Sequence, residues 1–584
     1  MKHRLAFIAV IVLTLAALIV AEKRKVNAPV SPDPILYSIA DTEKELGRLP
    51  VAAIRLTDRE EIQIGDDLAR QFVASHYPNS RRTDPEVEEV GRYLIQVGLR
   101  VAAHAHRKLP YRFHYIPSSD FINAFALPGG YVFVGAGLMD LMDSEDELAA
   151  ILGHEIEHID HYHCAERVQL EARLRHLQLR GLIELPVQLF EVGYSKEQEL
   201  EADREGTRLA VRASYSPLGA IRLFEAFDRL YREETAAAHS PQEELTRVAL
   251  DTLQGYFRSH PQTSERIDQV NRMIADEHWG DLTSERPLEV AYVFWTKRAQ
   301  RAYSTGKYPE AVALAQRSAD AHPGQIRAWE VLGSSNFALA NFSQAAAAYR
   351  ALLDSVPTSR EYLRAYADSL AARGDPATGV RELQTWLAAH FQGPELARRC
   401  AGLAGLMLLE HDQAGADRVL AQLKMVYGSA LPAEVDGEIG WWNYRAGNYS
   451  AAVSGLTLAA QQRPGDSRLN TELGWVLIEH RNYEDALARF DQGMPTSSMN
   501  AENVLAGIRA QAGPHMGTAV ASWLAQQKDE ALDQFSRGIE ARPEWLNPKW
   551  TGALYSQTVV KAIAEMQAEQ KKRQAATRKP LGRP

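Results

Sequence analysis

A 34-residue period governs the C-terminal half of the chain, from about residue 288 onward. Pro323 and Pro357 lie 34 residues apart, and each follows an alanine, Ala311 or Ala345, by twelve positions. A period of this length is typical of arrays in which each unit is a pair of helices that buries its apolar face only against its neighbours. The C-terminal half is therefore predicted to form an all-α solenoid.

One unit of this period carries a fuller set of spaced residues, namely Trp329, Leu332, Gly333, Ala345, Tyr349 and Pro357. Their offsets resemble those of the tetratricopeptide repeat, in which small residues let paired helices approach and large ones fill the seam between them. Further copies of the pattern are centred on Gly440, Gly474 and Ala531. The resemblance implies six or seven repeats over residues 285–565, with a concave face that binds a protein partner.

Residues 1–25 have the pattern of a targeting segment. An uninterrupted apolar run covers residues 5–21, after Lys2 and Arg4 and before a charged stretch. This pattern predicts a signal peptide or a single membrane anchor, and hence export to the periplasm. As a helix the run would be about 25 Å long, which is short for a bilayer span. Because Ile19 stands where a cleavage site favours a small residue, two alternatives stay open: a cleaved, soluble protein and one tethered to the inner membrane.

The other end of the chain is basic. Residues 566–584 carry Lys571, Lys572, Arg573, Arg578, Lys579 and Arg583. A segment with so many like charges predicts a solvated, disordered tail, with a weak contact to an anionic partner as the alternative. We therefore expect the repeats to end near residue 565.

Composition narrows the classes of protein that remain. With 584 residues, 45% of them hydrophobic and 24% charged, the chain is expected to form three or four globular domains. Its net charge of −10 gives no reason to expect a nucleic-acid partner. Two cysteines, Cys164 and Cys400, exclude a disulfide framework, and we expect two separate buried thiols rather than a bonded pair. Any metal site must then be built from histidines and carboxylates.

Residues 26–280 show a mixed pattern that differs from the repeats. Apolar strand patterns at Phe121–Leu127 and Tyr131–Val134 flank a Pro-Gly-Gly turn. Two capping boxes, Ser144-x-x-Glu147 and Ser195-x-x-Gln198, predict the starts of two helices. This stretch is therefore predicted to be an α+β domain.

The strongest chemical signal is a His-Glu-x-x-His motif. His154 and His158 lie four residues apart, so on a helix both imidazoles face one side and can reach one cation, with Glu155 beside them. Composition predicts only about 0.04 chance matches to this motif in a chain of this length. The alternative is a charged, solvated helix, because His161 and His163 make the segment locally rich in histidine.

A catalytic zinc site needs a third protein ligand and an open position. The acidic cluster Glu199-Leu200-Glu201-Ala202-Asp203 offers candidates. Spacing alone leaves Glu199 and Glu201 as equal candidates for the ligand. Asp203 lies four residues after Glu199, on the same helix face, where it could accept a hydrogen bond from a ligand histidine.

Three blocks, residues 123–138, 144–158 and 199–206, together resemble the gluzincin metallopeptidases of the HtpX, BepA and CAAX-prenyl-protease group. The resemblance implies a mostly α fold with an α+β peptidase domain over residues 26–280. It also implies one zinc ion per chain, bound by His154, His158 and Glu199. Glu155 would be the general base, and Asp203 would hydrogen-bond a ligand.

The order of a signal segment, one peptidase domain and a repeat array resembles the periplasmic BepA-like branch of that group. This resemblance implies an envelope endopeptidase that degrades misfolded or misassembled outer-membrane proteins. The repeats would bind substrates or the outer-membrane assembly machinery. An extended substrate would pair with a sheet edge formed by Tyr131, Val132, Phe133 and Val134. The alternative function is a chaperone-like repeat scaffold with a latent peptidase site.

A further histidine lies between the two regions. His260, in Ser259-His260-Pro261, is placed where a loop could fold back over the cleft. We carry two functional hypotheses for it: a fourth zinc ligand in a closed, latent state, or an oxyanion stabiliser in an open one. A plain structural histidine is the alternative to both.

Overall fold

The computed structural model describes residues 56–76, 84–174, 190, 194–237, 263–356, 359–389, 396–428, 431–495 and 504–577. The chain divides into two compact units between Ala291 and Tyr292. The apolar run 5–21 and His260 lie outside the described residues. In the part that is described, no helix is both long and apolar enough to cross a membrane.

The described part of the first unit contains eight helices and a three-stranded sheet. The elements are α1 (Asp58–His76), α2 (Pro85–Ala102), β1 (Arg112–Ile116), β2 (Ala124–Leu127), β3 (Tyr131–Gly135), α3 (Ala136–Met139), α4 (Glu145–Asp160), α5 (His163–Leu174), α6 (Lys196–Arg212), α7 (Leu218–Ala237) and α8 (Thr263–Asp276). Both predicted capping boxes are confirmed, with Ser144 opening α4 and Ser195 opening α6. These caps satisfy the exposed amides of the first helical turn and so fix where each helix begins.

The sheet order corrects the prediction of a substrate edge. Strand β3 lies in the centre, parallel to β1 and antiparallel to β2. Tyr131, Val132, Phe133 and Val134 therefore pair on both sides, and within the described residues they offer no free edge. A strand with two neighbours has no backbone groups left to accept a further strand, so the edge strands of the described sheet are β1 and β2.

Strand β2 is shorter than its apolar pattern predicts. It begins at Ala124 because the chain still turns before it, with the Phe121 N–H donating to the Ser118 carbonyl at 3.2 Å. The turn into β3 depends on Gly129 and Gly130, whose φ angles are 78° and 105°. Side chains are strained at such angles, so both glycines serve the turn, as predicted.

The first unit extends further along the chain than predicted. Residues 285–291, which were expected to begin the repeats, belong to it. The Glu145 N–H donates to the Arg286 carbonyl at 2.9 Å, and Ser144 forms an isolated β-bridge with Pro287. This segment therefore bonds to the backbone at the start of α4.

The described part of the second unit begins with seven consecutive helix pairs, which we number as hairpins 1 to 7. In chain order the pairs are α9 (Ala291–Ser304) with α10 (Tyr308–Ala321), α11 (Ile326–Ala338) with α12 (Phe342–Ser355), α13 (Arg360–Ala372) with α14 (Pro376–Ala389), α15 (Leu396–Leu409) with α16 (Gln413–Tyr427), α17 (Ala433–Arg445) with α18 (Tyr449–Gln462), α19 (Ser467–Glu479) with α20 (Tyr483–Gln492), and α21 (Val504–Leu524) with α22 (Lys528–Ala541). The predicted fold class, an α+β domain followed by an all-α repeat array, is confirmed.

Residues 543–556 follow the last hairpin and form what we call the inner segment. It comprises a 3-10 turn (Pro543–Leu546), the short helix α23 (Pro548–Leu554) and the two residues after it. Glu544 bonds Tyr308 of hairpin 1, and the Asn547 amide donates to the Ala338 carbonyl of hairpin 2 at 3.4 Å. Helix α23 packs against α13 of hairpin 3.

The same segment contacts the later hairpins. Its Ala553 carbonyl accepts from Arg445 of hairpin 5 at 2.6 Å, and Trp545 lies 5.9 Å from the ring of Trp475 in hairpin 6. One short segment can contact five hairpins of a solenoid only from its inner face. The concave face on which we expected a partner therefore holds the chain's own residues at these hairpins.

Ion pairs also cross the inner face. Arg364 of hairpin 3 lies 3.3 Å from Glu438 of hairpin 5 and 2.9 Å from Glu472 of hairpin 6. Asp368, one turn after Arg364, pairs with Arg445. These pairs are mostly buried, so removing one partner would leave an uncompensated charge, and they hold hairpin 3 against hairpins 5 and 6.

The predicted disordered tail is wrong for most of its length. Helix α24 (Gln557–Thr577) continues through the expected boundary, with Met566 fully buried. Arg573 lies 2.8 Å from Asp529 of hairpin 7 and 3.3 Å from Glu569. Arg573 is therefore paired on the outer side of the helix, while the apolar residues of the helix pack against the end of the array.

Candidate metal and catalytic site

Two helices build the site, and two glycines set how closely they approach. A Cβ atom on Gly153 of α4 would lie 2.5 Å from the Gly206 carbonyl oxygen of α6. A Cβ atom on Gly206 would lie 2.6 Å from the backbone nitrogen of His154. Both clashes are with backbone, which cannot rotate away, so only glycine allows α6 to present its carboxylates to the histidines of α4.

The Gly206→Ala substitution is expected to destabilise the protein by about 1–3 kcal/mol, because overpacking at a backbone contact forces the helices apart. Zinc affinity should fall as well, since His154 adjoins the contact. Denaturant unfolding and zinc titration measure the two effects. The control is Gly280→Ala, where an added Cβ meets nothing within 4 Å. Equal behaviour of the two variants would contradict the packing argument.

Three buried side chains converge at the junction of α4 and α6. His154 Nε2 lies 3.1 Å from His158 Nε2 and 3.4 Å from Glu199 Oε2. His158 Nε2 lies 3.9 Å from Glu199 Oε1, and the three donor atoms all fall within 4.8 Å of one another. Two imidazoles and one carboxylate are the donor set of His₂Glu metal sites, so the residues present fit a metal ion.

His154 is oriented by a buried carboxylate on the next helix. Its Nδ1 atom lies 2.9 Å from Asp203 Oδ1, and its Nε2 atom faces His158 and Glu199 in the metal site. Arg266 of α8 donates two hydrogen bonds to Asp203, at 2.6 and 2.5 Å. Although burial opposes it, the charge of Arg266 keeps the pKa of Asp203 below its ordinary value. Asp203 thus stays an ionised acceptor for His154.

The structure distinguishes Glu199 from Glu201 as candidates for the third metal ligand, which sequence spacing alone does not do. Glu199 is fully buried, and its Oε1 accepts the Tyr194 N–H at 2.6 Å, which fixes the carboxylate toward the histidines. Glu201 lies outside the metal-binding group and approaches His161 and His163, at 3.6 and 3.4 Å.

Glu155 lies next to the first histidine, with only 6% of its surface exposed. Burial raises the pKa of its carboxyl to about 7, although a hydrogen bond from the Ala126 N–H opposes the shift. A carboxylate with a pKa near neutrality is suited to take up and release a proton at neutral pH. The contact with Ala126 also places Glu155 directly against strand β2.

Three further residues of the site were not predicted from the sequence. His163 Nδ1 lies 3.0 Å from His158 Nδ1, and the Tyr194 ring stacks on His158 with 4.1 Å between centroids. Arg266 is the third. Of these, only His163 has a signal in the sequence, since it belongs to the histidine-rich stretch, but that stretch is equally typical of a solvated helix. His163 is instead buried, and burial lowers its pKa to about 4.

Comparison with protein-family models matches both units. Residues 88–274 match Peptidase family M48, and residues 296–360 and 333–394 match the tetratricopeptide repeat. The first match contains every residue of the converging site described above. The resemblance inferred from the three sequence blocks is therefore confirmed.

Curated relatives agree with these matches. The "Beta-barrel assembly-enhancing protease" of Escherichia coli is 25% identical over 51% of this chain and 66% of its own length. A "Putative beta-barrel assembly-enhancing protease" of Vibrio cholerae is 30% identical over 34% of this chain and 43% of its own length. The "Mitochondrial metalloendopeptidase OMA1" of Schizosaccharomyces pombe is 34% identical over 26% of this chain and 44% of its own length.

The alignments thus span less than two thirds of the length of these curated relatives. Residues 88–274 therefore carry a Peptidase family M48 domain, and residues 296–360 and 333–394 carry tetratricopeptide repeats.

Proposed function

We propose that this protein is a zinc-dependent endopeptidase of the cell envelope that degrades misfolded or misassembled outer-membrane proteins. The observation that carries the proposal is the buried convergence of His154, His158 and Glu199, with Glu155 beside them. The names of the bacterial relatives, which refer to β-barrel assembly, support an outer-membrane client.

In the proposed reaction, His154, His158 and Glu199 would hold one zinc ion. A bound zinc ion polarises a scissile carbonyl and makes water a stronger nucleophile. Glu155 accepts the proton of the attacking water and later delivers it to the leaving amine. Its buried position against β2 keeps it next to any peptide that lies along that strand.

The substrate is proposed to pair with β2. The Ala126 N–H donates to Glu155, and its carbonyl lies 3.7 Å from Cys164 Sγ, so both backbone groups face the helices rather than β3. An extended peptide that displaces Glu155 and Cys164 from these two backbone groups could bond them in turn and add a strand beside the catalytic glutamate. Unfolded or misassembled polypeptides satisfy this requirement, because compact proteins expose few extended segments.

The repeat array is proposed to recruit substrates or components of the outer-membrane assembly machinery. Tetratricopeptide repeats commonly supply extended binding surfaces, and the basic start with its apolar run 5–21 supports a periplasmic location. Because the inner segment occupies the inner face at five hairpins, the partner would bind the remaining surface of the array or displace that segment.

Metal removal tests the proposal. Treating the purified protein with 1,10-phenanthroline is expected to abolish casein cleavage, and adding back one equivalent of Zn²⁺ should restore it, because the histidines require a borderline-soft cation. Mg²⁺ should not restore cleavage, since it prefers oxygen ligands. Cleavage that persists without metal would overturn the proposal. Bound zinc with no cleavage of any unfolded substrate would favour the repeat scaffold with a latent site.

A further inference from the structure

His163 and Glu201 form a chain of contacts behind the second histidine ligand. His158 presents its Nε2 atom to His154 and Glu199, while its other nitrogen, Nδ1, lies 3.0 Å from His163 Nδ1. On its far side His163 Nε2 lies 3.4 Å from Glu201 Oε2. His158 and His163 are almost fully buried, so the contact between these two rings is shielded from water.

The protonation of this chain follows from the position of each nitrogen. A histidine that binds a metal through Nε2 uses that lone pair, so its Nδ1 carries the proton. The Nδ1–H of His158 must then donate to His163 Nδ1, which accepts through its own lone pair. His163 therefore carries its proton on Nε2, which points toward the Glu201 carboxylate.

We propose that His163, held by Glu201, is the positioning residue for His158. This inference rests on the proposed zinc site and extends it. The two histidine ligands would then be oriented by different means: a carboxylate fixed by an arginine for His154, and a neutral imidazole fixed by a carboxylate for His158. Partners of this kind hold the ligand ring at the correct angle and raise its basicity.

The neighbouring side chains distinguish this role from simple packing. Tyr194 stacks on the His158 ring and restrains its plane, but it cannot choose between the two nitrogens. His161 belongs to the same cluster, but its side chain approaches Glu157 and Glu201, at 3.2 and 3.6 Å, rather than a ligand histidine. His161 therefore serves as the matched control.

The test measures zinc affinity in the full-length protein, by competition with a chromogenic chelator. His163→Leu, which removes the acceptor, is expected to weaken Zn²⁺ binding about 10–100-fold. His163→Asn should bind within a few-fold of wild type, because its amide oxygen can accept from His158 in place of Nδ1. Glu201→Ala should weaken binding in the same direction by a smaller factor. His161→Ala should leave the affinity unchanged.

Thermal unfolding of the metal-free proteins provides the second measurement. A purely structural histidine would lower the melting temperature of the metal-free protein without changing the dissociation constant for zinc. Unchanged affinity in His163→Leu, or equal loss in His163→Leu and His163→Asn, would overturn the inference. If His163→Leu does not fold, Glu201→Ala decides, since Glu201 is 37% exposed and its loss leaves no core cavity. Wild-type protein that binds no zinc would overturn the proposed function as well.

Discussion

Glu155→Gln protein is expected to bind one zinc ion per chain and to cleave casein about 10²–10⁴-fold more slowly than wild type. Glutamine keeps the size and the hydrogen-bonding oxygen of glutamate but cannot take up a proton at neutral pH. The three predicted ligands, His154, His158 and Glu199, are untouched, so metal content should not change. Mass spectrometry of the native protein and initial cleavage rates measure the two quantities.

The matched control is Glu197→Gln, on the exposed first turn of α6 and two residues from the ligand Glu199. It removes the same charge near the site without touching the predicted base, so its cleavage rate should equal that of wild type. Comparable activity in Glu155→Gln and wild type would exclude Glu155 as the base. Loss of zinc from Glu155→Gln would instead assign Glu155 a structural role in the metal site.

The second large effect is expected in the repeat array. Trp545→Ala should destabilise the second unit by about 3–5 kcal/mol, the usual cost of removing a buried tryptophan. Trp545 is 1% exposed, and its ring lies 4.9 Å from Tyr555 and 5.1 Å from Trp550. The cavity would open inside the array, between the inner segment and hairpin 6. Denaturant unfolding followed by circular dichroism measures the loss.

Leu546→Ala is the control, because Leu546 follows Trp545 directly and is 39% exposed. We expect it to change the free energy of unfolding by less than about 1 kcal/mol, as is usual for surface positions. A similarly small change in Trp545→Ala would mean that the inner segment contributes little to the array. The stability of the first unit should be the same in both variants.

Local sequence patterns predict the elements of the site well. The i, i+4 spacing of His154 and His158 and the serine capping boxes depend only on residues within one helix. The choice between Glu199 and Glu201 requires knowledge of which face of α6 meets α4. Glu199 and Asp203 share that face with Gly206, seven residues after Glu199, whereas Glu201 lies about 200° around the helix from Glu199.

The features that local sequence patterns do not predict depend on contacts between residues far apart in the chain. Strand β1 pairs with β3 across residues far apart in sequence, from Arg112 with Tyr131 to Ile116 with Gly135. No pattern within β3 reveals that neighbour, and the edge position that the family resemblance implies for β3 is wrong. Likewise, contacts between Tyr308 and Glu544 join residues 236 positions apart, and no repeat signature encodes them.

The inner segment has a consequence for how the array folds. In a simple repeat protein, stability is a sum of nearest-neighbour contributions, and unfolding can begin at one end and stop at any boundary. Here one late segment joins hairpins 1, 2, 3, 5 and 6, so loss of either end removes contacts from the other, and we expect one cooperative melting transition. During synthesis, the contacts of hairpin 1 remain incomplete until Glu544 has been translated, 236 residues after Tyr308.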